Sequence, residues 1–233
     1  MQTRSLRKYI YLSIGAAVAT IALKFAAWDI TGSVGLFSDA LESCVNLVAA
    51  LVALIMITIA ERPADEEHAF GHSKAEYFSS AIEAARIILA AFSIVRSAIP
   101  RVVHPEPIES VGAGILVAAG ASLINLVVAV ILIRNGRKSN SITLEADGRH
   151  LMTDVWTSVG VFIGIGLVYV TGWLVLDGIV AIGVALNILF AGYQLMRRSA
   201  MGLLDAAIPE TDLKKITNAL ESLKAQQLEY HSL

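Results

Sequence analysis

The sequence predicts an all-α membrane protein of six transmembrane helices with both termini in the cytosol. Three observations carry that expectation. Hydrophobic residues make up 56% of the 233 and charged residues only 16%, against roughly 25% charged in an ordinary soluble domain. Six apolar runs each approach or exceed the roughly 20 helical residues that cross about 30 Å of hydrocarbon. Lys and Arg gather on one side of those runs, the side that stays in the cytosol.

The first run, Tyr9–Trp28, is interrupted by Lys24 and has no small-residue cleavage pattern. It reads as a retained helix rather than a signal peptide. The second, Leu36–Ile59, follows a short link over 29–35, so the two should be antiparallel neighbours. The third, Tyr77–Ile99, ends before His104-Pro-Glu-Pro107, where proline removes backbone donors and turns the chain. The fourth is Val111–Ile133. The fifth, Ile142–Val170, is preceded by Ser139-Asn-Ser141, good N-cap chemistry. It carries Gly160 and Gly164, a four-residue spacing that permits close helix packing. The sixth, Leu174–Leu195, follows a link of 171–173, which again makes neighbours of the helices it joins.

Arg4, Arg7 and Lys8 precede the first run, and Arg62 and Lys74 lie between the second and third. Arg134, Arg137 and Lys138 lie between the fourth and fifth, and Arg197 and Arg198 follow the sixth. Among the opposite links only Arg101 is basic. Trp28 and Trp173 fall at the predicted outer boundary, where aromatic rings favour the interface.

After the sixth run Ala207-Ile-Pro-Glu-Thr-Asp212 reads as a helix start. Ile216, Ala219, Leu220 and Leu223 then line one helical face, with Lys214, Lys215 and Glu221 elsewhere. Little sequence follows to cover that face. Residues 1–200 are therefore expected to form the membrane domain, and 201–233 the start of a cytosolic domain cut short. The single cysteine, Cys44, excludes a disulfide framework and a cysteine-only zinc site. No basic patch interleaved with aromatics points to nucleic acid.

Two i, i+4 pairs carry the chemistry. Glu42 and Asn46 share a face of the second helix, and His150 and Asp154 a face of the fifth. At 1.5 Å per residue the first pair lies roughly 9–15 Å below the outer boundary and the second roughly 12–18 Å above the inner one. All four residues meet near the midplane and could share one tetrahedral ion. Ionisable groups at that depth mark pathways and sites. One imidazole with oxygen ligands suits zinc, iron or manganese better than copper(I). Asn46 is equally a ligand through its carbonyl oxygen or interhelical glue. Asp39 shares the Glu42 face as a spare ligand or an outer charge. Glu145 and Asp147 read as a solvated entrance, and Glu83 and Arg86, at i, i+3, as a local ion pair. A second cluster, Asp65-Glu-Glu-His-Ala-Phe-Gly-His72, puts two imidazoles and three carboxylates within eight residues of the cytosolic loop.

These residues resemble the cation diffusion facilitators, proton-coupled exporters of divalent metals. The resemblance covers essentially the whole chain. It rests on Gly32-Ser-Val-Gly-Leu-Phe-Ser-Asp-Ala40, on Arg62-Pro-Ala-Asp-Glu-Glu-His-Ala-Phe-Gly-His-Ser-Lys-Ala-Glu76, and on His150-xxx-Asp154. The loop wording is similar to that of the bacterial ferrous-iron and zinc efflux branch. The resemblance implies a transport site at Glu42, Asn46, His150 and Asp154. The helix 2 half departs from the branch, which has aspartate at both places, and from zinc-selective relatives, which have histidine then aspartate. That leaves Zn2+, Fe2+ and Mn2+ open as cargo.

The resemblance further implies a loop site at Glu66, His68 and His72, with Asp65 and Glu67 as substitutes, and a hinge pair of Lys74 with Asp205. It implies a homodimer in the cell (inner) membrane, proton antiport by alternating access, and a ferredoxin-like α+β domain beginning at 201–233. His231 falls where a ligand of that domain's metal site would lie. The chain then needs no cofactor beyond its transported ion. A membrane metal sensor or receptor is the rival reading. An intramembrane metalloenzyme is a weaker one, since no HExxH or comparable motif is present and four ligands would fill the ion's sphere.

Overall fold

In the computed structural model, residues 6–31, 34–105, 112–205 and 210–224 are described. They form seven helices and no strand: α1 (Arg7–Thr31), α2 (Val34–Ala60), α3 (Lys74–Val103), α4 (Gly112–Ser139), α5 (Ile142–Thr171), α6 (Val175–Leu203) and α7 (Glu210–Lys224). The first six are each long and apolar enough to cross a membrane. Several outrun their apolar cores. The basic residues Arg134, Arg137 and Lys138 lie inside α4, and Arg197 and Arg198 inside α6. Lys and Arg are good helix formers, so a helix continues past the point where hydrophobicity stops.

Short links make neighbours, and α1 packs on α2 and α5 on α6. The most extensive contacts join α3 to α6 and α4 to α5, and α1 also meets α4. A seven-residue repeat of small residues explains the first of these. On α6 it is Gly178, Ala185, Gly192 and Ser199; on α3 it is Ala84, Ala91 and Ala98, and all seven are buried. A strict heptad keeps one seam in register along two gently wound helices. In lipid, where apolar burial drives little association, small residues let backbones approach. A Cβ on Gly178 would lie 3.1 Å from the Ala98 carbonyl oxygen and 2.6 Å from Val102 Cγ2. Ser80 and Ser199 close the seam with a buried hydroxyl–hydroxyl bond of 2.7 Å.

On α5, Gly160 and Gly164 do face α6, meeting Val184 and Asp177, while Gly148 meets Ile133, Leu132 and the Ala129 carbonyl of α4. The start of α5 is fixed twice. Ser141 caps it, accepting from the Leu144 N–H. Glu76 of α3 accepts from the Ser141 hydroxyl and, at 3.2 Å, from the Thr143 N–H. A carboxylate there also complements the positive end of the helix dipole.

The same end of the bundle corrects one expectation. Glu145 and Asp147 are not a solvated entrance; both are buried. The first turns of α5 are wedged among α3, α4 and α6, so these carboxylates need partners rather than water. Glu145 accepts from Arg149 at 2.8 Å and from Arg198, with Arg137 3.6 Å away, which ties α5 to the ends of α4 and α6. Asp147 is hydrogen-bonded by Ser13 of α1. Nearby, Arg7 Nε donates to Glu61 at 2.8 Å, joining α1 to α2. At the opposite end Arg101 donates to Asp177 at 2.6 Å, joining α3 to α6.

The α3–α6 seam predicts that Gly178→Leu separates the two helices. Overpacking of this kind costs about 1–3 kcal/mol. A lowered thermal midpoint of the detergent-solubilised protein is the expected reading, while Gly166→Leu, which meets open space, should leave the midpoint in place.

Candidate functional site

The two predicted pairs converge inside the bundle. His150 Nε2 and Asn46 Oδ1 lie 3.0 Å apart. Asn46 Nδ2 points the other way and approaches Asp154 Oδ2 at 3.5 Å. Helix α5 sets His150 and Asp154 one turn apart on one face, and α2 brings Asn46 between them. A cavity of about 200 Å³ opens against this group, in the half of the bundle away from residues 61–73. Glu42, Asn46 and Asp154 line it together with Lys24, whose ammonium donates to Ser43 at 2.9 Å.

Two residues at the site were not assigned to it from sequence. Asn125 of α4 is buried and donates to Asp154 Oδ2 at 3.3 Å. Its signal was available: an amide in the middle of an apolar run, at the same depth. Arg86 of α3 is the second. Its Nη1 forks onto both oxygens of Glu83, at 3.0 and 2.9 Å, as the i, i+3 spacing leads one to expect. Its Nη2 goes further, to Asn46 Oδ1 at 2.5 Å and His150 Nε2 at 3.1 Å. Sequence spacing shows which neighbours share a helix face, not which helix that face meets. Glu83 and Arg86 also line a second space, a groove of about 160 Å³ between α2 and α3.

The loop between α2 and α3 holds a separate cluster. Ligand atoms of Asp65, His68 and His72 all lie within 4.8 Å of one another. Asp65 Oδ1 is 3.0 Å from His68 Nδ1, and its Oδ2 is 3.3 Å from His72 Nε2. The structure therefore brings together Asp65 with the two histidines, and Glu66 is not in the group. The reason is local. Asp65 accepts from the His68 backbone N–H at 2.7 Å, a side chain-to-backbone turn that holds its carboxylate over the ring. At Asp65 slight desolvation raises the carboxyl pKa. The His68 backbone and ring bonds, with the charge of both histidines, outweigh it and hold the group below its ordinary range. Asp65 is thus ionised throughout neutral and mildly acidic pH.

The other sequence-predicted residues are placed as follows. Lys74 Nζ lies 2.7 Å from Asp205 Oδ2, linking the start of α3 to a residue two positions past the end of α6. Both side chains are more than half exposed, a setting in which an ion pair alone contributes little. The Asp39 side chain and His231 lie outside the described residues.

Relatives of known description agree with this architecture. Residues 10–204 match the family model described as the cation efflux transmembrane domain. A Synechocystis protein described as an uncharacterized transporter is 49% identical over 233 residues, all of this chain and 75% of the relative. The cation-efflux pump FieF of Klebsiella pneumoniae is 30% identical over 200 residues, 86% of this chain and 66% of the pump. FieF of Salmonella arizonae is 30% identical over 210 residues, 88% of this chain and 68% of the pump. The chain thus spans about two thirds of the length of these pumps. Matched over nearly all its membrane helices, the protein belongs to the cation efflux family, the cation diffusion facilitators, and is a transporter rather than an enzyme.

Proposed function

We propose that the protein exports a divalent metal cation in exchange for protons, by alternating access, as a homodimer in the cell membrane with both termini in the cytosol. One observation supports this most: Asn46, His150 and Asp154, from two helices, converge beside a cavity deep in an apolar bundle. An imidazole nitrogen, an amide oxygen and a carboxylate form a donor set for Zn2+, Fe2+ or Mn2+, and Glu42 adds a second carboxylate from the cavity wall. Binding needs the deprotonated ligands, so protons compete for the same atoms. Entry of protons from outside and metal from the cytosol then couples the two flows. The name of the FieF relatives, cation-efflux pumps, agrees with the direction.

The loop cluster serves as a cytosolic metal-capture site built on Asp65, His68 and His72. The Lys74–Asp205 pair would hold α3 and α6 together where each protomer meets the segment that follows. The amphipathic helix α7, which leaves Leu213 and Ile216 exposed, starts the cytosolic domain expected over 201–233.

Flux into proteoliposomes under an imposed pH gradient tests the central reading. Zinc, manganese, ferrous iron and cadmium are to be compared, with Asp154→Ala as control. Saturable, gradient-dependent flux is expected, lost in the variant while its folding is unchanged. Full flux in Asp154→Ala would remove the site assignment. No flux for any metal would favour sensing over transport.

The loop geometry gives its own expectation. Asp65→Ala should weaken cadmium binding by the loop, about tenfold in affinity, or 1.4 kcal/mol, whereas Glu66→Ala should change it little. Titration of both variants in an Asp154→Ala background isolates the loop, and the reverse order of effects would assign the carboxylate to Glu66.

A further inference from the structure

Arg86 stands where an ion would. We infer that its guanidinium is a tethered cation that occupies the transport site when no metal is bound, and that an incoming metal must displace it onto Glu83. The inference rests on the transport-site reading above and adds a residue that the motif does not contain.

Four observations carry it. First, Nη2 bridges Asn46 Oδ1 at 2.5 Å and His150 Nε2 at 3.1 Å. A guanidinium is a donor only, so Asn46 Oδ1 turns a lone pair toward it, and His150 Nε2 does so in the tautomer that carries its hydrogen on Nδ1. Asn46 Oδ1 and His150 Nε2 are themselves 3.0 Å apart, so the three atoms form a compact triangle with the guanidinium as its positive corner. A metal bound to the same oxygen and nitrogen would take that corner. Second, His150 Nδ1 is buried and has no hydrogen-bond partner among the described residues. In the tautomer with its hydrogen on Nδ1, His150 Nε2 accepts from Arg86 and keeps the lone pair that a metal requires. In that form the lone pair facing Arg86 is the one a metal would take.

Third, the guanidinium has somewhere to go. Its other nitrogen already holds Glu83 at 3.0 and 2.9 Å, and the Glu83 side chain is 3% exposed. Arg86 can release Nη2 and stay charge-paired. Fourth, there is open space on the Glu83 side. Arg86 and Glu83 line a groove, while Asn46 and Asp154 line the cavity. Moving the guanidinium off Asn46 and His150 toward that groove therefore frees the ligands.

The charge pattern is consistent with the same role. Asn46 stands where the branch this chain resembles carries a carboxylate, and an arginine reaches that position from the neighbouring helix. An amide oxygen holds a guanidinium without trapping it in an ion pair, so a metal can compete. In this arrangement the empty site is never a set of bare ligands in an apolar interior. Metal affinity is set by competition with an internal rival rather than by the ligands alone.

The test measures zinc binding by calorimetry on the full chain in lipid nanodiscs, with His68→Ala and His72→Ala in the background to silence the loop. Arg86→Met is expected to bind zinc at least about tenfold more tightly than the parent. Its turnover in proteoliposomes should fall, because release now lacks the competing cation. Millimolar methylguanidinium added to Arg86→Ala should weaken zinc binding back toward the parent, which a structural role for Arg86 would not produce. Arg86→Lys supplies a conservative arm. One ammonium cannot fork onto Glu83 and bridge Asn46 and His150 together, so its affinity should fall between those of arginine and methionine.

Unchanged or weaker zinc binding in the methionine and lysine variants, with Asp154→Ala still abolishing binding in the parent, would overturn the inference and leave the site standing. Zinc binding that survives Asp154→Ala in every background would overturn the site reading and this inference with it.

Discussion

A charge inside an apolar bundle must find a partner, and most of what fixes this fold follows from that constraint. Desolvating an ion costs several kcal/mol unless opposite charge or hydrogen bonds replace water. Glu145 answers with arginines from its own helix and from the ends of α4 and α6. Asp177 takes Arg101, and Glu83 takes Arg86. Each contact except the intrahelical ones joins two helices that apolar packing alone would leave free to slide. Truncating one partner of such a pair strands the other, so the pairs fix register even where they add little net stability.

Between the charged ends, small residues take over. Apolar burial gives little selectivity among helices in lipid, and close packing supplies it. The heptad of glycine, alanine and serine on α6 meets the alanine heptad on α3, and Gly148 lets α4 come against α5. Two tightly packed pairs result. The site lies where they and α1–α2 meet, with α2, α3, α4 and α5 each contributing a polar group: Asn46, Arg86, Asn125, and His150 with Asp154. A site assembled from several helices changes shape when the pairs move against each other, which is what alternating access requires.

Much of this was legible in the sequence. Hydrophobic runs located all six spanning helices, because the length needed to cross a bilayer is a strong constraint. The i, i+4 pairs picked out polar residues that converge, Asn46 with His150 and Asp154, because helical periodicity fixes which residues share a face. What periodicity cannot give is the identity of the helix opposite. Glu83 and Arg86 read as a self-contained pair, yet Arg86 also reaches across to α2 and α5. Glu145 and Asp147 read as solvated from their place near a helix end, but that end is buried under neighbouring helices. In the loop, three adjacent carboxylates were equivalent by composition, and only the turn that Asp65 makes with the His68 N–H distinguishes one of them.

The arginine changes how selectivity in such a site should be argued. Counting ligands alone, replacing a carboxylate by Asn46 lowers the site's negative charge and weakens every divalent ion alike. If Arg86 competes as inferred above, each candidate ion is weighed against a guanidinium for the same oxygen and nitrogen. A soft or strongly imidazole-binding ion gains at His150 Nε2, where the guanidinium makes an ordinary hydrogen bond. A hard ion gains less there, because its preferred partners are carboxylates such as those of Asp154 and Glu42. Irving–Williams ordering would then be sharpened at the nitrogen and left unchanged at the oxygens.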